Sequence, residues 1–184
     1  MSEGIDIYLV RHGEAIVPWS QAGNSGLSVA GQQQARSVAE QLSCLVAPDL
    51  VSSPLMRALE TAAPLTKLCR SPIAIDERFI EVPLAPDLAI RKAWLTGVAT
   101  LCWPKVSEEI GQWREAAWTA LLAVPRESVI FTHFMLINAL VSRATADDRL
   151  VCFEPDYGSV TRLRVSPRKG CDVLDLGRSL GSRS

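Results

Sequence analysis

The sequence predicts an α/β fold, a three-layer α/β/α sandwich with a largely parallel central sheet, and three observations carry that expectation. Short apolar, β-branched runs alternate along the chain with segments whose apolar residues recur at helical spacing. The 184 residues are 48% apolar and 21% charged, enough to bury a core of medium size. The last strand-like runs follow one another closely, so antiparallel strands are expected toward the C-terminus.

The first strand is expected over residues 5–10, Ile-Asp-Ile-Tyr-Leu-Val, and it ends directly at Arg11. Ser28 is a fitting N-cap for a helix whose Ala35, Val38, Ala39 and Leu42 share one face. Residues 49–53 read as the second strand, after which Pro54 opens a helix that carries Arg57 in its first turn and runs as far as Leu68. Residues 76–87, with Pro83 and Pro86, are expected as a structured loop, followed by a short helix over 88–95 that ends at Gly97. Ser107, with Glu108 and Glu109 behind it, starts a helix that aligns Ile110, Trp113, Ala117, Ala120 and Leu121 and stops at Pro125. Residues 128–132 form a strand leading into His133, with 136–141 on the helix after it. Strand-like runs near 150–153, 159–165 and 173–176 complete the set, so 1–176 is read as one domain and 177–184 as a flexible C-terminal tail.

The charge balance removes several function classes. Nineteen basic and 20 acidic residues leave a net charge of −1, and no arginine- or lysine-rich stripe interleaved with aromatics is present, so no nucleic-acid partner and no anionic membrane surface is expected. The five cysteines, Cys44, Cys69, Cys102, Cys152 and Cys171, are odd in number and form no Cys-x-x-Cys pair, which argues against a disulfide framework or a zinc ribbon. No run approaches the ~18 continuous apolar residues of a membrane span, and the N-terminus lacks a cationic stretch followed by an apolar one. The expectation is a cytoplasmic protein; its oligomeric state is left open.

The chemistry-bearing residues occur at a recurring kind of place. Arg11 and His12 follow the first strand, Arg57 follows the second, and His133 follows a later one. Ligands of open α/β sheets bind at the carboxyl ends of strands, so these residues are expected to converge on one pocket. The planar arginine fork matches phosphate oxygens bidentately and stays charged. A neutral imidazole beside it can attack phosphorus, dividing hydrolysis into formation and breakdown of a phosphoenzyme while the cationic groups stabilise the equatorial oxygens.

At these residues a resemblance becomes specific. Leu9-Val10-Arg11-His12-Gly13-Glu14 resembles the Arg-His-Gly signature of the phosphoglycerate mutase-like branch of the histidine phosphatase superfamily. The similarity continues from Gly26 through Ala35 and from Val51 through Ala62, and it reappears at Phe131-Thr132-His133, in the family's order. The resemblance implies His12 as nucleophile, with Arg11, Arg57 and His133 completing a phosphate-binding pocket. It also implies a carboxylic acid that protonates the leaving oxygen. Glu81 is the candidate, and Glu77, in the lead-in Asp76-Glu77-Arg78-Phe79, is its competitor.

Departures from the family pattern bear on the activity. Phe134 follows His133 where many relatives have glycine, and Pro18 stands six residues after His12 where mutases commonly carry asparagine, with Asn24 a weak substitute. Val82-Pro83-Leu84-Ala85-Pro86 replaces a glycine- and tryptophan-containing stretch, so no large mutase-type lid is expected and water should reach a phosphohistidine. The expected function is therefore a phosphatase acting on a small-molecule phosphate ester or a phosphorylated protein side chain. A mutase and a catalytically silent phosphate-binding module are the alternatives. No cofactor and no metal are expected, because arginines beside the two histidines would repel a dication. Glu14 is expected to support the pocket by hydrogen bonding. Trp19, Trp94 and Trp103 are read as packing residues before leaving-group contacts, and Arg91 and Lys92 as a solvated face.

Overall fold

The computed structural model describes residues 4–18, 24–83, 97, 101–167 and 170–181. Strand β1 (Ile5–Arg11), helix α1 (Val29–Leu42), β2 (Asp49–Ser52), α2 (Met56–Cys69), β3 (Ile73–Ile75) and a 3₁₀ turn (Glu77–Phe79) make up the first half. A second 3₁₀ turn (Trp103–Lys105), α3 (Glu108–Leu122), β4 (Ser128–Thr132), α4 (Phe134–Ala144), β5 (Val160–Ser166) and β6 (Gly170–Asp175) follow. The six strands form one sheet in the order β3-β2-β4-β1-β5-β6. β3, β2, β4 and β1 run parallel, whereas β5 and β6 are antiparallel additions at one edge, as the C-terminal runs led one to expect.

Strand periodicity sorts side chains between two layers. Ile7, Leu9 and Ile130 pack with Trp113, Ala117, Leu121, Leu136 and Leu140 of α3 and α4. Val10, Val129 and Phe131 pack on the opposite face with Val38, Leu42, Ala58, Ala62 and Leu65 of α1 and α2. All five residues of β4 are buried, which a central parallel strand covered on both faces requires. The sandwich is thus the predicted one. Ser28 and Ser107 cap α1 and α3 by accepting from the Gly31 and Ile110 amides. Among the described residues no helix is long and apolar enough to cross a membrane.

Three local expectations need correction, one strand was not foreseen, and the expectations over 88–95 and at Trp19 fall outside the description. Pro54 does not open α2: Leu55 is its N-cap and Met56 its first residue, while Pro64 lies inside it. β3 was not foreseen. Residues 150–153 form no strand, because the Asn138 side-chain oxygen accepts from the amides of Cys152 and Phe153 and takes the groups a ladder would use. Residues 177–181, expected to be loose, are tied back: Leu180 N donates to Glu154 O, Asp156 N donates to Arg178 O, and the Arg178 guanidinium pairs with Asp156. The helix expected over 88–95, with Arg91, Lys92 and Trp94, and also Trp19, lie outside the described residues.

Candidate active site at the carboxyl edge of the sheet

Register explains why residues far apart in sequence meet. β1 and β4 are parallel neighbours with Arg11 opposite Thr132, so the residues that follow the two strands, His12 and His133, emerge side by side with ring centroids 5.2 Å apart. The His12 amide also donates to the Thr132 carbonyl. β2 flanks β4 on its other side, and the Ser53 amide donates to Phe131 O, which brings the Ser53 hydroxyl 2.7 Å from His133 Nε2. Arg57, in the first turn of α2, then reaches back over the strand ends and donates through Nε to His12 Nε2 at 3.1 Å.

The contacts of His12 agree on one tautomer. Nδ1 is 2.7 Å from the Gly13 carbonyl and must carry the proton to donate there, which leaves Nε2 with the lone pair that accepts from Arg57. His12 is 6% exposed. Burial, then the Arg57 and Arg11 charges, hold its pKa down to about 3 against the opposing pull of the Gly13 carbonyl. The imidazole is therefore neutral at physiological pH. Gly13 permits this turn because a Cβ there would lie 2.6 Å from the Gly31 carbonyl at the start of α1.

His133 is fully buried, and burial followed by the charges of His12, Arg57 and Arg11 holds it well below its ordinary pKa. Its Nδ1 has no hydrogen-bond partner among the described residues, an orphan of the kind that functional pockets retain. Glu81 is buried too, and burial pushes its carboxyl up, against the Val82 and Met135 amides and the two arginines. Its Oε1 accepts from Val82 N at 3.0 Å. Two bonds to the preceding backbone fix the segment: Thr132 Oγ1 donates to Phe79 O at 2.8 Å and Trp113 Nε1 to Ile80 O at 3.1 Å. Glu77 is exposed on the 3₁₀ turn, so of the two competing acids it is Glu81 that reaches the cluster.

Arg11 donates through a terminal nitrogen to Pro155 O at 2.7 Å, and its guanidinium carbon lies 3.8 Å from the Tyr157 ring centroid and 5.0 Å from that of Phe134. The arrangement can receive a tetrahedral dianion between two fixed guanidiniums and two neutral imidazoles, beside a buried carboxyl whose proton affinity burial raises.

All five residues singled out in the sequence, Arg11, His12, Arg57, Glu81 and His133, are brought together. Glu14 is not part of the cluster: its carboxylate accepts from the Ser28 hydroxyl at 2.6 Å and serves the start of α1. Asn24 accepts from the Met56 amide and caps α2. Trp103 is a core residue, covered by the Arg114 guanidinium 4.0 Å from its ring. Three residues escaped notice. Thr61 and Ser53 sit in motif blocks without a chemical cue, although Thr61 falls one turn after Arg57 on the same helix. Tyr157 lies in a loop that no periodicity marks.

Comparison with known proteins places this geometry among relatives. The model of the histidine phosphatase superfamily (branch 1) matches residues 7–86. A protein of Erwinia tasmaniensis named "Probable phosphoglycerate mutase GpmB" is 28% identical over 160 residues, covering 75% of this chain and 74% of its own length. Its namesake in Enterobacter sp. (strain 638) is 34% identical over 86 residues, or 44% of this chain and 39% of its own. Among solved structures, mycobacterial glucosyl-3-phosphoglycerate phosphatase superposes with a TM-score of 0.76 at 19% identity, covering 96% of this chain and 100% of that one. A phosphoserine phosphatase of Entamoeba histolytica, in complex with 3-phosphoglyceric acid, gives 0.71 at 20% identity, with 95% and 98% covered. At such identities these structures speak for the fold.

Proposed function

We propose that this chain is a phosphatase of branch 1 of the histidine phosphatase superfamily, whose model matches residues 7–86, and that it hydrolyses a phosphomonoester through a phosphohistidine on His12. The observation that carries this reading is the buried, neutral His12, whose Nδ1–H is engaged by Gly13 and whose Nε2 lone pair faces Arg57. Arg57 Nε donates to that lone pair at 3.1 Å. An incoming phosphate oxygen is a stronger, charged acceptor, and by drawing the guanidinium to itself it frees Nε2 for attack.

In the first step Nε2 forms the N–P bond as the P–O bond to the alcohol breaks, and Glu81, whose carboxyl burial shifts toward the protonated form, gives its proton to the departing oxygen. In the second, the Glu81 carboxylate takes a proton from water as the water oxygen bonds to phosphorus and the N–P bond breaks, which restores His12 and Glu81 and releases inorganic phosphate. Arg11, Arg57 and His133 hold the equatorial oxygens throughout, and His133 Nδ1 is the atom of that ring left available to do so.

A mutase is the second reading, and the names of the curated relatives favour it. The proline-containing segment after Glu81, in place of a glycine- and tryptophan-containing one, supports hydrolysis instead. The deciding experiment is phosphate release from an aryl phosphate in excess chelator, comparing wild type with His12→Ala. Release by wild type alone is expected. Equal release by both proteins would overturn the role of His12, and in a parallel assay on phosphoglycerate, isomerised product without free phosphate would establish the mutase.

A further inference from the structure

Phe134 and Tyr157 stand beside the reacting groups, yet the phosphoryl chemistry uses neither. Resting on the phosphatase reading, we propose that these two rings form an aromatic mouth to the pocket and select phosphomonoesters whose alcohol is uncharged and carries an aromatic ring. His12, Arg11, Arg57, His133 and Glu81 are all at most 8% exposed, whereas Phe134 and Tyr157 are partly exposed and pack their rings against Arg11. The Tyr157 ring is 5.9 Å from that of His12, within reach of the first atoms of an alcohol whose phosphoryl group sits against Nε2.

Both rings are held by their backbone. Phe134 is the first residue of α4, directly after His133. Tyr157 N donates to Asp156 Oδ1 at 2.8 Å, and its carbonyl accepts from Arg178 at 2.9 Å. The same Arg178 donates to Asp156 Oδ2 at 3.0 Å. Gly158 follows with φ +64°, a left-handed conformation that suits glycine, and its amide donates to Arg11 O at 3.1 Å. The folded-back residues 177–181 therefore act on the site by bracing Tyr157. Rings fixed in this way offer stacking surface at little entropic cost.

Charge argues for a neutral alcohol. Among the described residues Arg11 and Arg57 are the arginines whose charge bears on His12 and His133, and a phosphate dianion matches both. A second anionic group would meet two apolar rings, with Arg11 already over them, and would add to the charge of Asp156, which, although paired with Arg178, also reaches Arg11.

Calorimetric titration of the full chain with three non-hydrolysable probes, 2-phenylethylphosphonate, ethylphosphonate and 3-phosphonopropionate, tests this independently of turnover. The phenyl probe is expected to bind about tenfold tighter than ethylphosphonate, and the carboxylate probe more weakly than either. Phe134→Leu, which keeps an apolar side chain, and Phe134→Gly should each lower the phenyl-to-ethyl ratio toward unity. Equal affinities, tightest binding of the carboxylate, or a ratio unchanged in both variants would overturn the proposal. Binding of none of the probes would overturn it together with the phosphate pocket. The expected selectivity without phosphate release from any ester would refute hydrolysis while leaving the aromatic mouth in place.

Discussion

Thr61 links two of the reacting groups through one hydroxyl. It donates to Arg57 O at 2.6 Å and accepts from Gly13 N at 3.0 Å, and the Gly13 carbonyl fixes the proton on His12 Nδ1. Thr61→Val keeps the volume but leaves the buried Gly13 amide without its partner, at a cost of about 1–3 kcal/mol in stability. It should also lower kcat by about tenfold to a hundredfold with little change in KM, since the loss falls on the aim of His12. Thr61→Ser should recover most of the rate, and steady-state kinetics on an aryl phosphate will show whether it does. For Glu81→Gln the defect should be larger on alkyl than on aryl phosphates, because poor leaving groups most need the proton; equal losses would remove Glu81 as general acid. The arginines and histidines of this site were legible in the sequence, because Arg11, His12, Arg57 and His133 stand where strands end. Glu81 was legible only through family resemblance, and the hydroxyls of Ser53 and Thr61 not at all, since a buried hydroxyl announces itself only through partners distant in sequence.

Elements with a strong period were legible and short ones were not. Helices α1 and α3 followed from Ser28 and Ser107 and their apolar stripes: the buried face of α3 is the expected one, and that of α1 adds Gly31 to the four residues expected. β3 has three residues, two of them exposed, so Ile73, Ala74 and Ile75 show no alternation to read. The reverse error at 150–153 arose because those residues are apolar but lack a free ladder edge. Asn138 on α4 supplies their acceptor: its side-chain oxygen takes the Cys152 amide at 2.9 Å and the Phe153 amide at 3.2 Å. Asn138→Ala should therefore release this segment from α4 and destabilise the protein by about 2 kcal/mol or more, as two amides lose their acceptor. Chemical denaturation will measure this, and a midpoint close to that of wild type would mean that water replaces the carboxamide.

Strand order is a property of the whole molecule, and nothing in the sequence states that β4 inserts between β2 and β1. That insertion places His12 and His133 side by side in a buried cluster, and it makes stability depend on pH in a calculable direction. Both imidazoles titrate near 6.5 in the unfolded chain but are depressed in the folded one, His12 to about 3. As pH falls below the unfolded value, the unfolded chain takes up protons that the folded protein refuses, so stability present above about pH 6.5 is lost toward the folded value. Each imidazole contributes a slope of at most about 1.4 kcal/mol per pH unit in that window. Glu81 acts in the opposite sense, since its carboxyl is raised on folding: its contribution is present below the unfolded carboxylate value and fades as pH rises toward the folded one. Between pH 7 and pH 5 the histidines should dominate, and His12→Asn, which stays neutral, removes one of them. The variant's denaturation midpoint should then fall less steeply than that of wild type over this interval. Parallel curves would mean that folded His12 takes up its proton as readily as the unfolded residue, and that the neutral nucleophile on which the phosphatase reading depends is not maintained by the fold.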